Sequence, residues 1–77
     1  MEPHYHHCVD TSGLRCPEPV MLLHNALRKV AVGEVVKLIA TDPATERDIA
    51  RFCRYLGHEL VAEFSDAGTY CCFIRRG

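Results

Sequence analysis

Apolar residues recur along the chain in two rhythms, one helical and one strand-like. Val20, Leu23, Leu27 and Val30 keep helical spacing with Ala26 beside them, while His24, Asn25, Arg28 and Lys29 take the opposite face. This predicts an amphipathic helix that starts among the prolines Pro17 and Pro19 and ends near Val32-Gly33. A second helix is predicted through Ile49, Phe52, Cys53 and Leu56, with Gly57 as its C-terminal stop. Two starts fit it: Asp42 as N-cap with Pro43 in the first helical position, or a capping box of Thr45 and Asp48 one turn later. Between the helices, the segment from Glu34 to Thr41 is β-branched and mostly apolar, as in a buried strand. Cys8 to Thr11 reads as a short first strand closed by Ser12-Gly13. His58 to Phe64 and Thr69 to Arg75 flank "SDAG" and read as a hairpin.

The predicted order is β-α-β-α-β-β. Two strands joined by a crossover helix run parallel with a right-handed connection, and two helices of one-sided apolarity pack most simply on a single sheet face. The expected fold class is α/β: a two-layer sandwich in which a four-stranded mixed sheet carries both helices on one face. With 77 residues, one domain is expected over 1–77, residues 1–7 forming a flexible N-terminal tail. A chain of this size buries only about 60% of its unfolded surface, so its core is thin. A net charge of −1 makes no general case for nucleic-acid binding. No apolar stretch approaches the roughly 20 residues that span a bilayer. Five cysteines cannot all pair within one chain, and Met1 to Val9 has no apolar signal region, so free thiols in the cytoplasm are expected.

One cysteine stands apart. In "GLRCPEPV", Cys16 lies between Arg15 and Pro17, ahead of the apolar stripe and flanked by charge. The helix N-cap falls at Cys16 or at Glu18, because a residue before proline is pushed out of the α region. Either way the sulfur is within about a turn of the positive helix end, where the dipole and Arg15 favour thiolate. Glu18 and the loss of two N–H donors at the prolines act against this, so a modest depression of the Cys16 pKa is expected. The stiff segment would hold one sulfur on a protruding ledge. Cys53, by contrast, falls in the apolar stripe of the second helix and reads as core. Cys71 and Cys72 point to opposite faces of one strand. Cys8 is near enough in sequence to approach Cys16, which leaves a disulfide between them open. "HYHHC" at residues 4–8 matches no structural zinc spacing, and no metal site is expected. His58 reads as a turn histidine. Arg47, Arg51 and Arg54 make a basic stripe on the second helix, suited to docking an acidic partner.

"DTSGLRCPEPVM", "TDPATERDI", "FC" and "GHELVA" together resemble the TusA (SirA-like) family of small sulfur carriers from about Val9 to Gly77. The family motif Cys-Pro-x-Pro corresponds to Cys16-Pro17-Glu18-Pro19. The resemblance implies the same β-α-β-α-β-β sandwich, with Cys16 accepting sulfane sulfur as a persulfide from a cysteine desulfurase, supported by Arg15, Pro17, Glu18 and Pro19. It further implies delivery to a downstream relay protein, most characteristically toward 2-thiolation of the wobble uridine of tRNA. The tRNA is then served only indirectly, and no cofactor is needed. Molybdenum-cofactor supply and sulfur oxidation are the alternative pathways within the family. Two readings of other classes stand beside it: a thiol redox module using Cys8 and Cys16, and a regulatory binding module working through the arginine stripe.

Overall fold

The six elements follow one another as the periodicity predicts: β1 (His7–Thr11), α1 (Glu18–Leu27), β2 (Val35–Ala40), α2 (Thr45–Leu56), β3 (Glu59–Asp66) and β4 (Thr69–Arg75). This is the arrangement in a computed structural model that describes residues 2–77. The four strands form one sheet in the order β1-β2-β4-β3. β1 runs parallel to β2, while β2 pairs antiparallel with β4, and β4 with β3. The crossover helix α1 accounts for the parallel pair, because only a long connection returns the chain to the same end of the sheet.

Alternation along the strands assigns the faces. Val36, Leu38 and Ala40 of β2, with Tyr70, Cys72 and Ile74 of β4, pack against Leu23, Ala26 and Leu27 of α1 and Ile49 and Cys53 of α2. This single cluster is the core, and both helices lie on it. Cys53 and Cys72 belong to it, and burial pushes their thiols up to about 11 and about 12. They are inert packing residues under ordinary conditions.

Helix α1 ends at Leu27, short of the expected Val32-Gly33. Arg28 N–H donates to His24 O and Lys29 N–H to Ala26 O, so the last turn tightens and the chain leaves the axis. Val30 still packs against the core from the turn beyond, which is why it keeps the helical period without being helical. Neither predicted cap of α2 forms as drawn. The cap residue is Ala44, and Asp42 instead accepts the Ala44 N–H in an Asx turn one step earlier.

Several residues of the stretch expected as an N-terminal tail, 1–7, make contacts with the sheet. His7 opens β1, His6 pairs with the Val35 backbone, and Glu2 and Tyr5 reach the sheet face opposite the helices. Glu2 pairs with Lys37 Nζ at 3.0 Å, the Tyr5 ring lies 6.0 Å from that of Phe73, and His6 Nδ1 accepts the Val35 N–H at 3.0 Å. Phe73 points to this outer face, yet none of it is exposed, because Phe64 and Tyr5 flank it and Lys37 spans its ring.

The β3–β4 hairpin turns through Ala67 and Gly68, at φ 50° and 84°, inside the Asp66–Thr69 pair. Two left-handed residues define a type I′ turn, whose first position favours asparagine over alanine. Ala67→Asn is therefore expected to stabilise the protein by about 0.5–1 kcal/mol, seen as a higher urea midpoint with an unchanged slope.

Candidate functional site

Cys16 sits beyond the carboxyl ends of the parallel strands β1 and β2, where both helices begin. Ligand and reaction sites of open α/β sheets tend to lie at this end. A ladder of short bonds carries the chain from β1 to the thiol. Thr11 Oγ1 donates to Ile39 O at 2.6 Å, Gly13 N–H donates to Thr41 Oγ1 at 2.8 Å, and Ser12 N–H donates to Asp10 Oδ1 at 2.9 Å. Residues Arg15 to Glu18 then make a tight turn closed by Glu18 N–H to Arg15 O at 2.9 Å, and the Cys16–Pro17 peptide within it is cis. The cap of α1 is Pro17, between the two expected positions, and Pro19 occupies the first turn as its missing N–H allows.

Asp42 clamps this turn from the other side. Its Oδ2 accepts the Cys16 N–H at 2.7 Å, and its Oδ1 accepts the Ala44 N–H at 3.0 Å. One carboxylate thus ties the start of α1 to the start of α2. The accepted bonds from Ala44 and Cys16, aided by the charge of Arg15, hold Asp42 below the usual carboxylate range. Its anchorage is complete above the ordinary carboxylate pKa of about 4 and is lost as pH falls through the lower folded value. Asp42→Ala is expected to speed amide hydrogen exchange at Cys16 and to flatten that part of the fall in urea midpoint on acidification which Asp42 contributes.

The thiol itself is exposed and opens onto a shallow groove of about 390 Å³, lined by Cys16, Pro17, Val20, Asp48, Arg51, Phe52 and Tyr55. Val20, Phe52 and Tyr55 make most of that lining apolar, and Tyr55 is 89% exposed. Of the arginine stripe, Arg51 lines the groove and Arg47 lies against Asp48 at 3.7 Å, whereas Arg54 is exposed beyond its edge. Glu18 is exposed in the first turn of α1.

The electrostatics differ from the expectation. Asp48 lines the same groove, and hydrogen bonding to its carboxylate is the main influence that raises the Cys16 pKa above the ordinary thiol value. Desolvation and the charges of Asp48 and Asp42 act the same way, and Arg47 opposes them. The charge of Arg15 acts on Asp42 and is not among the charges that shift the sulfur. The Cys16 pKa is thus shifted upward, where helix dipole and Arg15 alone pointed to a depressed pKa.

The remaining cysteines are apart from this site. Val9 packs on the core, so its neighbour Cys8 faces the outer side of the sheet, as does Cys71. Cys8 and Cys16 therefore lie on opposite faces, and the disulfide left open by their short separation is not brought together. All five cysteines are free. His58 accepts the Gly77 N–H at 3.0 Å and stacks near Phe52, with burial and Arg76 keeping it below its usual pKa.

The family described as Sulfurtransferase TusA matches residues 7–76. The sulfur carrier protein TusA of Pseudomonas aeruginosa (strain PAO1) is 57% identical over 68 residues, which cover 88% of this chain and 86% of that protein. The chain belongs to the TusA family. The protein of the same name from Pseudomonas entomophila (strain L48) is 56% identical over 68 residues, 88% of this chain and 85% of the other. A crystal structure of a SirA-like protein from Desulfitobacterium hafniense superposes with a TM-score of 0.82, covering 94% of this chain and 99% of that one at 22% identity, which shows the shared fold.

Within this TusA-family fold the Cys-Pro-x-Pro segment and the Asp-Pro segment, 26 residues apart in sequence at their closest bond, meet through Asp42. Asp48 was read from sequence as half of a capping box, and its place beside the sulfur was missed. The available signal was its position in the first turn of the helix that follows the Asp-Pro pair, since helical side chains lean back toward the helix start. Among the described residues no helix is long and apolar enough to cross a membrane.

Proposed function

We propose that Cys16 is the carrier thiol: it accepts sulfane sulfur as a persulfide from a cysteine desulfurase and passes it to a relay protein, in the direction of tRNA wobble-uridine 2-thiolation. The observation that supports this most is geometric. Cys16 is the cysteine that is both exposed and clamped, standing on a stiff turn at the rim of an apolar groove. The relatives named sulfur carrier proteins supply the chemical class.

The transfer is thiol exchange in two like steps. Cys16 sulfur attacks the outer sulfur of the donor persulfide, and the donor's inner sulfur leaves as thiolate; the Cys16 persulfide is then attacked by the acceptor's thiolate in the same way. Both steps need a sulfur that two other proteins can reach in turn, which a buried cysteine does not provide. Arg47, Arg51 and Arg54 would steer acidic partner surfaces to that sulfur, and the support of Arg15, Pro17, Glu18 and Pro19 is to fix the turn that presents it.

The test is intact-mass spectrometry after incubation with a cysteine desulfurase and free cysteine. The expected result is a gain of one sulfur atom that reductant removes; no gain overturns the reading. For the pathway, cells lacking the protein are expected to lose wobble 2-thiouridine from total tRNA, and normal levels would redirect the search to other sulfur acceptors.

A further inference from the structure

The Cys16 thiol shares its groove with one carboxylate, and that pairing needs a chemical account. Asp48 lies in the first turn of α2, its side chain only 18% exposed, and lines the groove with Cys16 while Arg47 Nε approaches its Oδ1 at 3.7 Å. The Cys16 turn is held against the start of α2 by the 2.7 Å bond from its backbone N–H to Asp42, which fixes the backbone that carries the thiol. An anion so placed makes thiolate formation harder, which is a poor arrangement for a nucleophile unless the anion also takes the proton. The other charges near the sulfur, Asp42 and Arg47, are engaged by backbone N–H groups and by Asp48 respectively. Arg51 lines the groove, and Arg15 does not.

We propose that Asp48 is the proton acceptor of sulfur loading, taking the Cys16 proton as Sγ attacks the donor's outer sulfur; this rests on Cys16 being the carrier thiol. The step balances. The bond between Cys16 Sγ and the outer sulfur forms as the donor S–S bond breaks, and its electron pair goes to the donor's inner sulfur. The Sγ proton passes to Asp48 and from there to that leaving sulfur, so the donor ends as thiol and Cys16 as persulfide, with no external oxidant or reductant. A carboxylate is too weak a base to deprotonate a resting thiol, whose pKa is several units higher. It becomes competent only as Sγ bonds to an electrophilic sulfur and its proton turns acidic. Cys16 therefore stays a protected thiol between partners and reacts when an aligned persulfide arrives.

Two readouts of opposite sign test this, with Asp48→Asn as the near-isosteric variant and the urea midpoint as the check on folding. First, iodoacetamide alkylation of Cys16, resolved from the other cysteines by peptide mass, is expected to rise several-fold at pH 7, with its rate–pH profile moved to lower pH. Second, the rate of sulfur loading from a cysteine desulfurase is expected to fall about tenfold or more, the loss typical of a general base, while Asp48→Glu recovers most of it. Unchanged alkylation would show that the carboxylate does not hold the thiol proton, and would overturn the proposal. Faster alkylation with unchanged or faster loading would make Asp48 a brake only, and overturns it equally. Failure of the wild type to load would bring down the carrier reading itself, which the wild-type control separates from either result.

Discussion

Cys16→Ser is expected to leave a folded protein that takes up no sulfur. The side chain is exposed and contributes nothing to the core, and the bond from residue 16 to Asp42 is made by the backbone N–H, which serine keeps. A surface change of this kind shifts stability by no more than about 0.5 kcal/mol. The chemistry is lost because a hydroxyl at neutral pH is neither ionised nor soft enough to open a persulfide. The other four thiols do not substitute. Cys53 and Cys72 are in the core, while Cys71 and Cys8 lie on the sheet face opposite the groove. Intact-mass spectrometry after incubation with a desulfurase should show the sulfur adduct on wild type and none on the variant, with matching urea midpoints. An equal adduct on Cys16→Ser would remove Cys16 from the mechanism.

Phe73→Ala is expected to produce the largest loss of stability, about 3–5 kcal/mol. In a chain this short the whole folding free energy is on the order of 4–12 kcal/mol. Phe73 is fully buried on the face that carries no helix, flanked by Phe64 and Tyr5 with the Lys37 ammonium over its ring. Alanine would leave a void that three surface groups cannot collapse to fill, because Phe64 is fixed in β3 and Lys37 in β2. With a urea slope of roughly 1 kcal/mol/M at this size, the midpoint should fall by about 3–5 M. Sulfur loading per folded molecule should be unchanged, since the groove lies on the other side of the sheet. A loss under about 1 kcal/mol would mean that the outer face is more open than its packing indicates.

The elements were legible because each is specified by residues close in sequence. The stripe of α2, the β-branched run through β2 and the Gly57 stop act over a few residues, and each appears where the pattern places it, whereas α1 stops at Leu27 and β3 runs on to Asp66, narrowing the expected "SDAG" turn to Ala67-Gly68. Where the reading failed, a tertiary contact reproduced a local signal. Val30 keeps the period of α1 from outside the helix. Asp42 looks like a cap and is instead a clamp between two helix starts. Residues 2–6, polar and histidine-rich, gave no periodicity, yet Glu2 and Tyr5 find partners on a face exposed by having helices on one side only.

The candidate site divides along the same line. Sequence alone determined the order of elements, the family resemblance, and the placement of Cys16 on a stiff turn at the start of α1, since prolines and turn bonds act between neighbours. Tertiary structure decided the character of that thiol. It set Asp48 and not Arg15 beside the sulfur, moved Cys8 to the far face, and drew Arg51 into the groove while leaving Arg54 outside it. The physical reason is range. Backbone geometry is set over three or four residues, whereas the charge that governs a proton on sulfur acts through space, from a helix that packing brings near.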